Sequence, residues 1–125
     1  MNGHPEADAQ REIVKGLAPV LPKGSILHHS ANEVNGGDAA AYRKQSILKG
    51  MGVYPGFADL VLLQNGRLLF LEVKSKTGSQ SKSQKEFQST VEAQGHAYAI
   101  VRSLDDALGA LSKHGFQTII KRGFS

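Results

Sequence analysis

The sequence contains no cysteine, which excludes disulfide bridges, thiolate zinc sites and a cysteine nucleophile. That absence is compatible with the cytoplasm. No stretch approaches the ~20 apolar residues that a membrane-spanning helix needs, and the opening "MNGHPEADAQ" lacks the apolar core of a secretion signal. Internal repeats, low-complexity tracts, convincing linkers and a Walker-type phosphate loop are all missing, since "NGG" at residues 35–37 is too short for the last. Residues 1–125 are therefore expected to form one soluble, cytoplasmic domain around a single modest core, with no membrane partner.

What is present fits an ordinary globular chain: 40% of residues are hydrophobic and 21% charged, enough apolar material to fold. The formal charge of +4 favours an anionic partner, nucleic acid before an anionic membrane surface. Many small intracellular proteins are equally basic, so charge alone decides nothing.

The apolar periodicity lays out the elements in order. "PEADAQREIVKGLAPVLP" predicts a first helix, with Pro5 in its first turn, Glu6 and Asp8 behind it, and Ile13, Val14 and Leu17 on one face. "SILHHS" predicts a short strand, and "ANEVNGGDAAAYRKQSILKGMG" a polar loop followed by a second helix that buries Tyr42, Ile47 and Leu48. "ADLVLLQ" and "RLLFLEVK" are apolar runs separated by Asn65-Gly66, the pair that best tolerates a two-residue hairpin turn. Both runs are apolar on both faces, which implies strands covered on two sides.

A third helix is predicted over "SQSKSQKEFQSTVEAQG", with Ser83 and Glu86 at capping-box spacing and Gly95 as its stop. "HAYAIVRS" is the next strand. "SLDDALGALSKHG" is a helix opened by Ser103 and closed by Gly115, and the tail "FQTIIKRGFS" is expected to add a short edge strand. The expected fold class is α/β, a small sandwich with a central mixed sheet flanked by helices.

One stretch does not fit a purely structural strand. In "FLEVK" side chains alternate, so Phe70, Glu72 and Lys74 share one face while Leu71 and Val73 share the other, and Glu72 and Lys74 are neighbours roughly 7 Å apart. If Asn65-Gly66 is the turn, Asp59 begins the partner strand directly opposite Glu72. Paired Cβ atoms stand about 5 Å apart, so the two carboxylates can share one ion; without a cation or proton they repel. Oxygen ligands favour Mg²⁺ or Mn²⁺, which keep waters and take phosphate oxygens as further ligands.

A metal so placed would activate water for phosphodiester cleavage. Lys74 would orient or deprotonate that water and stabilise the charge that builds on phosphate. Gln84, near the start of the third helix, would hold a water or a phosphate, and Lys76, Lys82 and Lys85 surround the site with positive charge.

The plainer reading of an E-x-K triplet is a salt-bridged strand end; the facing Asp59 is what raises it to a candidate site, because two carboxylates on a covered face are costly. Other residues carry less. His28-His29 beside Asn32 lack a second ligand cluster and read as ordinary strand-end histidines. Tyr42, Phe70 and Phe87 read as core rather than base-stacking platforms. Arg43, Lys44 and Lys49 are either a solvated helix face or part of a DNA track.

At these residues the chain resembles the VRR-NUC (virus-type replication-repair nuclease) family of the PD-(D/E)XK nuclease superfamily. The resemblance runs through "EADAQREIV", "ANEVNGG", "LKGMGVYPGFADLVLL", "LFLEVKSKTGSQSKSQKEF" and "AQGHAYAIVRSLDDAL". It implies a restriction-endonuclease-like sandwich in which Asp59, Glu72 and Lys74 form the D…E-x-K core and the Val73 carbonyl is a further metal ligand. Gln84 matches the glutamine of the S-x-x-Q helix start. Glu6 matches the first-helix carboxylate that reaches the metal through water, with Glu12 as its competitor. Gly52 and Gly56 match glycines of the connector, while Ala58 stands where the family commonly has proline.

The resemblance further implies a homodimer that cuts branched DNA such as Holliday junctions, in a bacterial or phage-infected cell. Two other readings remain beside this one. One is a restriction-like or exonucleolytic relative, which a covalently closed circular substrate would distinguish. The other is a non-catalytic nucleic-acid-binding module, against which the Asp59, Glu72, Lys74 set speaks, because a pure binder has no use for carboxylates facing an anion.

Overall fold

The computed structural model of the chain describes residues 5–30 and 39–119, without the side chains of residues 41, 42 and 45. Helix α1 (Pro5–Leu17) runs into one 3-10 turn and then strand β1 (Ile26–His29); helix α2 (Ala39–Gly50) precedes the hairpin of β2 (Leu60–Gln64) and β3 (Arg67–Val73). Helix α3 (Lys82–Ala93), strand β4 (Ala97–Val101) and helix α4 (Leu104–Lys113) complete the order that the periodicity predicts.

The hairpin turns where expected: Asn65 and Gly66 take φ of 52° and 76°, the left-handed pair that matches the twist of the flanking strands. Its ladder aligns Leu60 with Leu71 and Gln64 with Arg67. The sheet order is β1-β2-β3-β4, antiparallel except for the parallel pair β3 and β4, which α3 connects.

Continuous apolar runs in β2 and β3 are explained by two cores, one on each face. On one face Leu60, Leu62, Leu69, Leu71 and Val73 meet Ile13 and Leu17 of α1 and Ala107 and Leu111 of α4. On the other, Phe70 and Tyr98 meet Phe87 and Val91 of α3, with Ala58. Each fully buried Leu or Phe contributes ~1.5–3 kcal/mol relative to exposure. The result is a small α/β sandwich with a mixed sheet, as expected.

Three local expectations differ. Ile47, expected in the core, is 63% exposed, while Leu48 is half-buried and the Tyr42 side chain lies outside the described residues. Helical periodicity identifies a stripe but not whether anything covers it. Residues 116–119 form no strand: Phe116 enters the core, Gln117 exchanges hydrogen bonds with the buried Gln64 side chain, and Ile119 N donates to Val20 O. The remainder of the expected edge strand, 120–125, and the polar loop 31–38 lie outside the described residues.

The third difference concerns the cap of α3. The N-cap is Ser81, whose hydroxyl accepts from Gln84 N at 3.2 Å, while Ser81 N donates to Gln84 Oε1 at 2.8 Å. The capping box is therefore Ser81 with Gln84, not Ser83 with Glu86. Both pairs have the right spacing; a second bond of Gln84, described next, favours the earlier one.

Candidate active site

The C-terminal end of β3 carries Glu72 and, one residue beyond the strand, Lys74, while Asp59 immediately precedes β2. Asp59, Glu72 and Lys74 are 4%, 1% and 7% exposed, which is rare for charged side chains without partners nearby. Lys74 Nζ lies 3.9 Å from Glu72 Oε2. Its backbone N–H donates to Val101 O at 3.0 Å, so the parallel neighbour fixes the strand end that presents the ammonium.

Asp59 sits one residue before β2 rather than opening it, and its Oδ2 accepts from Val73 N at 2.8 Å. The carboxylate thus replaces a ladder acceptor at the point where β2 and β3 part, and it stands beside the Val73 peptide. Burial, and next the charge of Glu72 with a smaller part from Asp59, push the Tyr98 phenol well above its ordinary value. Both carboxylates therefore act on the same interior point.

Gln84 is engaged at both ends of its amide: its Nε2 donates to Glu72 Oε2 at 2.8 Å while its Oε1 completes the α3 cap. It orients Glu72, and its amide nitrogen carries a second N–H beside the one spent there. Ser81→Ala should accordingly cost about 1 kcal/mol in chemical denaturation, and should also lower any activity that depends on Glu72, although Ser81 touches neither carboxylate.

Glu6, Asp59 and Val73 line one cavity of about 300 Å³, together with Gln10, Arg11 and His29. Glu6 Oε2 also approaches the glycine backbone at Gly78, 3.3 Å from where a Cβ there would lie. Glu12 is exposed and does not line this cavity. Of the two candidates on α1, Glu6 lines the cavity beside Asp59 and Glu12 does not.

The donors suit a hard cation: two carboxylates and a carbonyl at Asp59, Glu72 and Val73, with no thiolate. Among the described residues no three His, Asp or Glu side chains cluster closely enough to hold an ion between them. A bound Mg²⁺ would need the carbonyl and waters to complete its shell, which is its habit. Lys76, Lys82 and Lys85 are exposed along the loop and first turn that follow Lys74; Arg43 and Lys44 are exposed on a different element, α2.

Solved structures match this architecture, and two of them are described by their domain. One, a "VRR_NUC domain protein", superposes with a TM-score of 0.69 at 20% identity over 90% of this chain and 89% of its own. The second, a "VRR_NUC domain", gives 0.56 at 16% identity over 91% and 100%. The fold is VRR-NUC-like. No protein-family model matches the sequence, and a comparison with curated proteins likewise found no match.

Within this VRR-NUC-like frame two features escaped the sequence reading. His29 was read as an ordinary strand-end residue, yet it lines the cavity beside Asp59. Alternation from Leu27, which packs on the α1 face, is the signal that places His29 rather than His28 towards α1. Arg102, just past β4, donates to Ser75 O and to Gly78 O at 2.8 Å and thereby folds the loop between Lys74 and α3. Nothing in its sequence neighbourhood announces that bond. Among the described residues no helix is long and apolar enough to cross a membrane.

Proposed function

We propose that this VRR-NUC-like chain is a Mg²⁺- or Mn²⁺-dependent endonuclease that cuts phosphodiester bonds in branched DNA, acting as a homodimer in a bacterial or phage-infected cell. The observation that carries the reading is the burial of Glu72 and Lys74 at the end of β3 with Asp59, which accepts from the Val73 N–H there. Buried charge of this kind is expensive, and catalysis is the use that best accounts for it.

Asp59, Glu72 and the Val73 carbonyl would hold the cation, with Glu6 acting through water. When bound, the metal supplies Lewis acidity and a water of lowered pKa. Lys74 Nζ orients the attacking water and gives hydrogen bonds to phosphate oxygens as their charge rises. Gln84 keeps Glu72 in one rotamer, and Gly56 lets the connector approach the start of α3. The first turn of α3 contains no acidic residue and carries Lys82 and Lys85, a helix end suited to anions.

Support for self-association comes from Ile47 and Met51, four positions apart and 63% and 77% exposed. A two-fold dimer would present two such sites to two strands of a junction.

The test is cleavage of labelled four-way junction, flap, single-stranded, linear duplex and covalently closed circular DNA with Mg²⁺, Mn²⁺ or EDTA, on protein whose mass is measured by light scattering. The expected outcome is junction cutting by a dimer, abolished by EDTA. Tight binding without cutting in either metal would favour the binding module, and a monomer that cuts only free ends would favour an exonuclease.

A further inference from the structure

The cavity beside Asp59 is lined by unlike groups. Glu6 and Asp59 bring carboxylates to it, and Gln10, Arg11 and His29 bring hydrogen-bond donors. Helix α1 builds its share by simple spacing: Glu6 and Gln10 are one turn apart, as are Ala7 and Arg11, and the small Ala7 leaves room between the longer side chains. Strand β1 supplies His29 at its last position, opposite Leu60, and Ser30 N donates to Asp59 O at 2.9 Å. That backbone bond ties the histidine's strand end to the segment carrying the carboxylate.

Carboxylates repel a phosphate, so a strand approaching Asp59 needs donors to seat its neighbouring phosphates. Arg11 already spends one N–H on Asp8 at 3.0 Å, and a guanidinium has five. His29 is exposed and has two ring nitrogens to offer. We propose that Gln10, Arg11 and His29 form a subsite for a phosphate of the strand being cut, next to the scissile one, and that His29 is its positioning contact. This inference rests on the nuclease reading for the identity of the ligand, but its test does not require cleavage.

The probe is a set of four-way junctions, each with one charged phosphate replaced by a neutral methylphosphonate, titrated in EDTA by fluorescence anisotropy. For wild-type protein, one position should cost about tenfold in affinity. His29→Ala should bind the unmodified junction about tenfold more weakly and lose nothing more at that position, while all other positions act alike on both proteins. His29→Asn, which keeps a donor, should recover part of the loss. Identical profiles for wild type and His29→Ala, or unchanged affinity in His29→Ala, would overturn the subsite. An increased Mg²⁺ requirement for cutting with an unchanged profile would overturn it too, in favour of a metal contact. If the wild type binds but never cuts, the nuclease reading falls while the scan still decides the subsite; if it binds no DNA, both fall.

Discussion

Glu72→Gln and Lys74→Ala should each lower cleavage by a factor of about a thousand, while leaving DNA binding in EDTA within a few-fold of wild type. Glu72 is the more informative site, because an amide of the same shape keeps an oxygen for Gln84 Nε2 and preserves the packing under it. The charge is lost both to a cation and to Lys74, while the shape of the side chain stays. Both variants break the buried pair at 3.9 Å, which costs about 3–5 kcal/mol, but Lys74→Ala also deletes a buried side-chain stem and leaves its space unfilled. Its melting temperature should therefore drop more than that of Glu72→Gln. Cleavage rate, thermal melting and anisotropy on the same preparations check all three statements. A folded Glu72→Gln protein that still cuts at the wild-type rate would remove Glu72 from the site and take the metal assignment with it.

The second large effect is expected at a residue with no chemistry at all. Gly56 has φ of 78°, and a Cβ there would overlap the Ser83 carbonyl and lie 2.8 Å from Gln84 N. Those are backbone atoms at the start of α3 and cannot swing aside. Gly56→Ala should cost about 1–2 kcal/mol for the left-handed backbone and about 1–3 kcal/mol more for the overlap. Gly24 provides the control, since its φ is 94° and nothing lies within 4 Å of its missing Cβ. Gly24→Ala should pay the backbone cost alone. Urea denaturation separates the two variants, and the Gly56 variant should also cut more slowly, because moving Ser83 and Gln84 moves the amide that orients Glu72. Equal stability losses at the two glycines would refute the close approach.

The parts of this molecule that could be read from its sequence are those set by local rules. Asn65-Gly66 dictates a turn, the turn dictates the register, and the register brings Asp59 opposite Glu72 even though the ladder itself ends at Leu60 and Leu71. Strand alternation puts Glu72 and Lys74 on one face, and their contact is the outcome. What remained hidden depends on tertiary choice. Two capping boxes overlap within "SQSKSQKE", and the direction of Glu72 favours Gln84 over Glu86, which no local propensity encodes. Ile47 fits a helical stripe as well as Ile13 does, but only Ile13 has a sheet in front of it. His29 acquires its place from α1, 19 positions upstream at Gln10, through a cavity that exists only after folding.

The double engagement of Gln84 ties the readiness of the site to the most easily opened part of a helix. Helix ends fray at free energies far below that of global unfolding. If the first turn of α3 opens, Glu72 loses its restraint while both apolar cores stay intact. Thermal loss of activity would then precede loss of structure, and strengthening the Leu-rich core would raise the melting point without extending the working range. Evolution or engineering that seeks heat tolerance in this chain must act on two residues, Ser81 and Gln84, rather than on the interior.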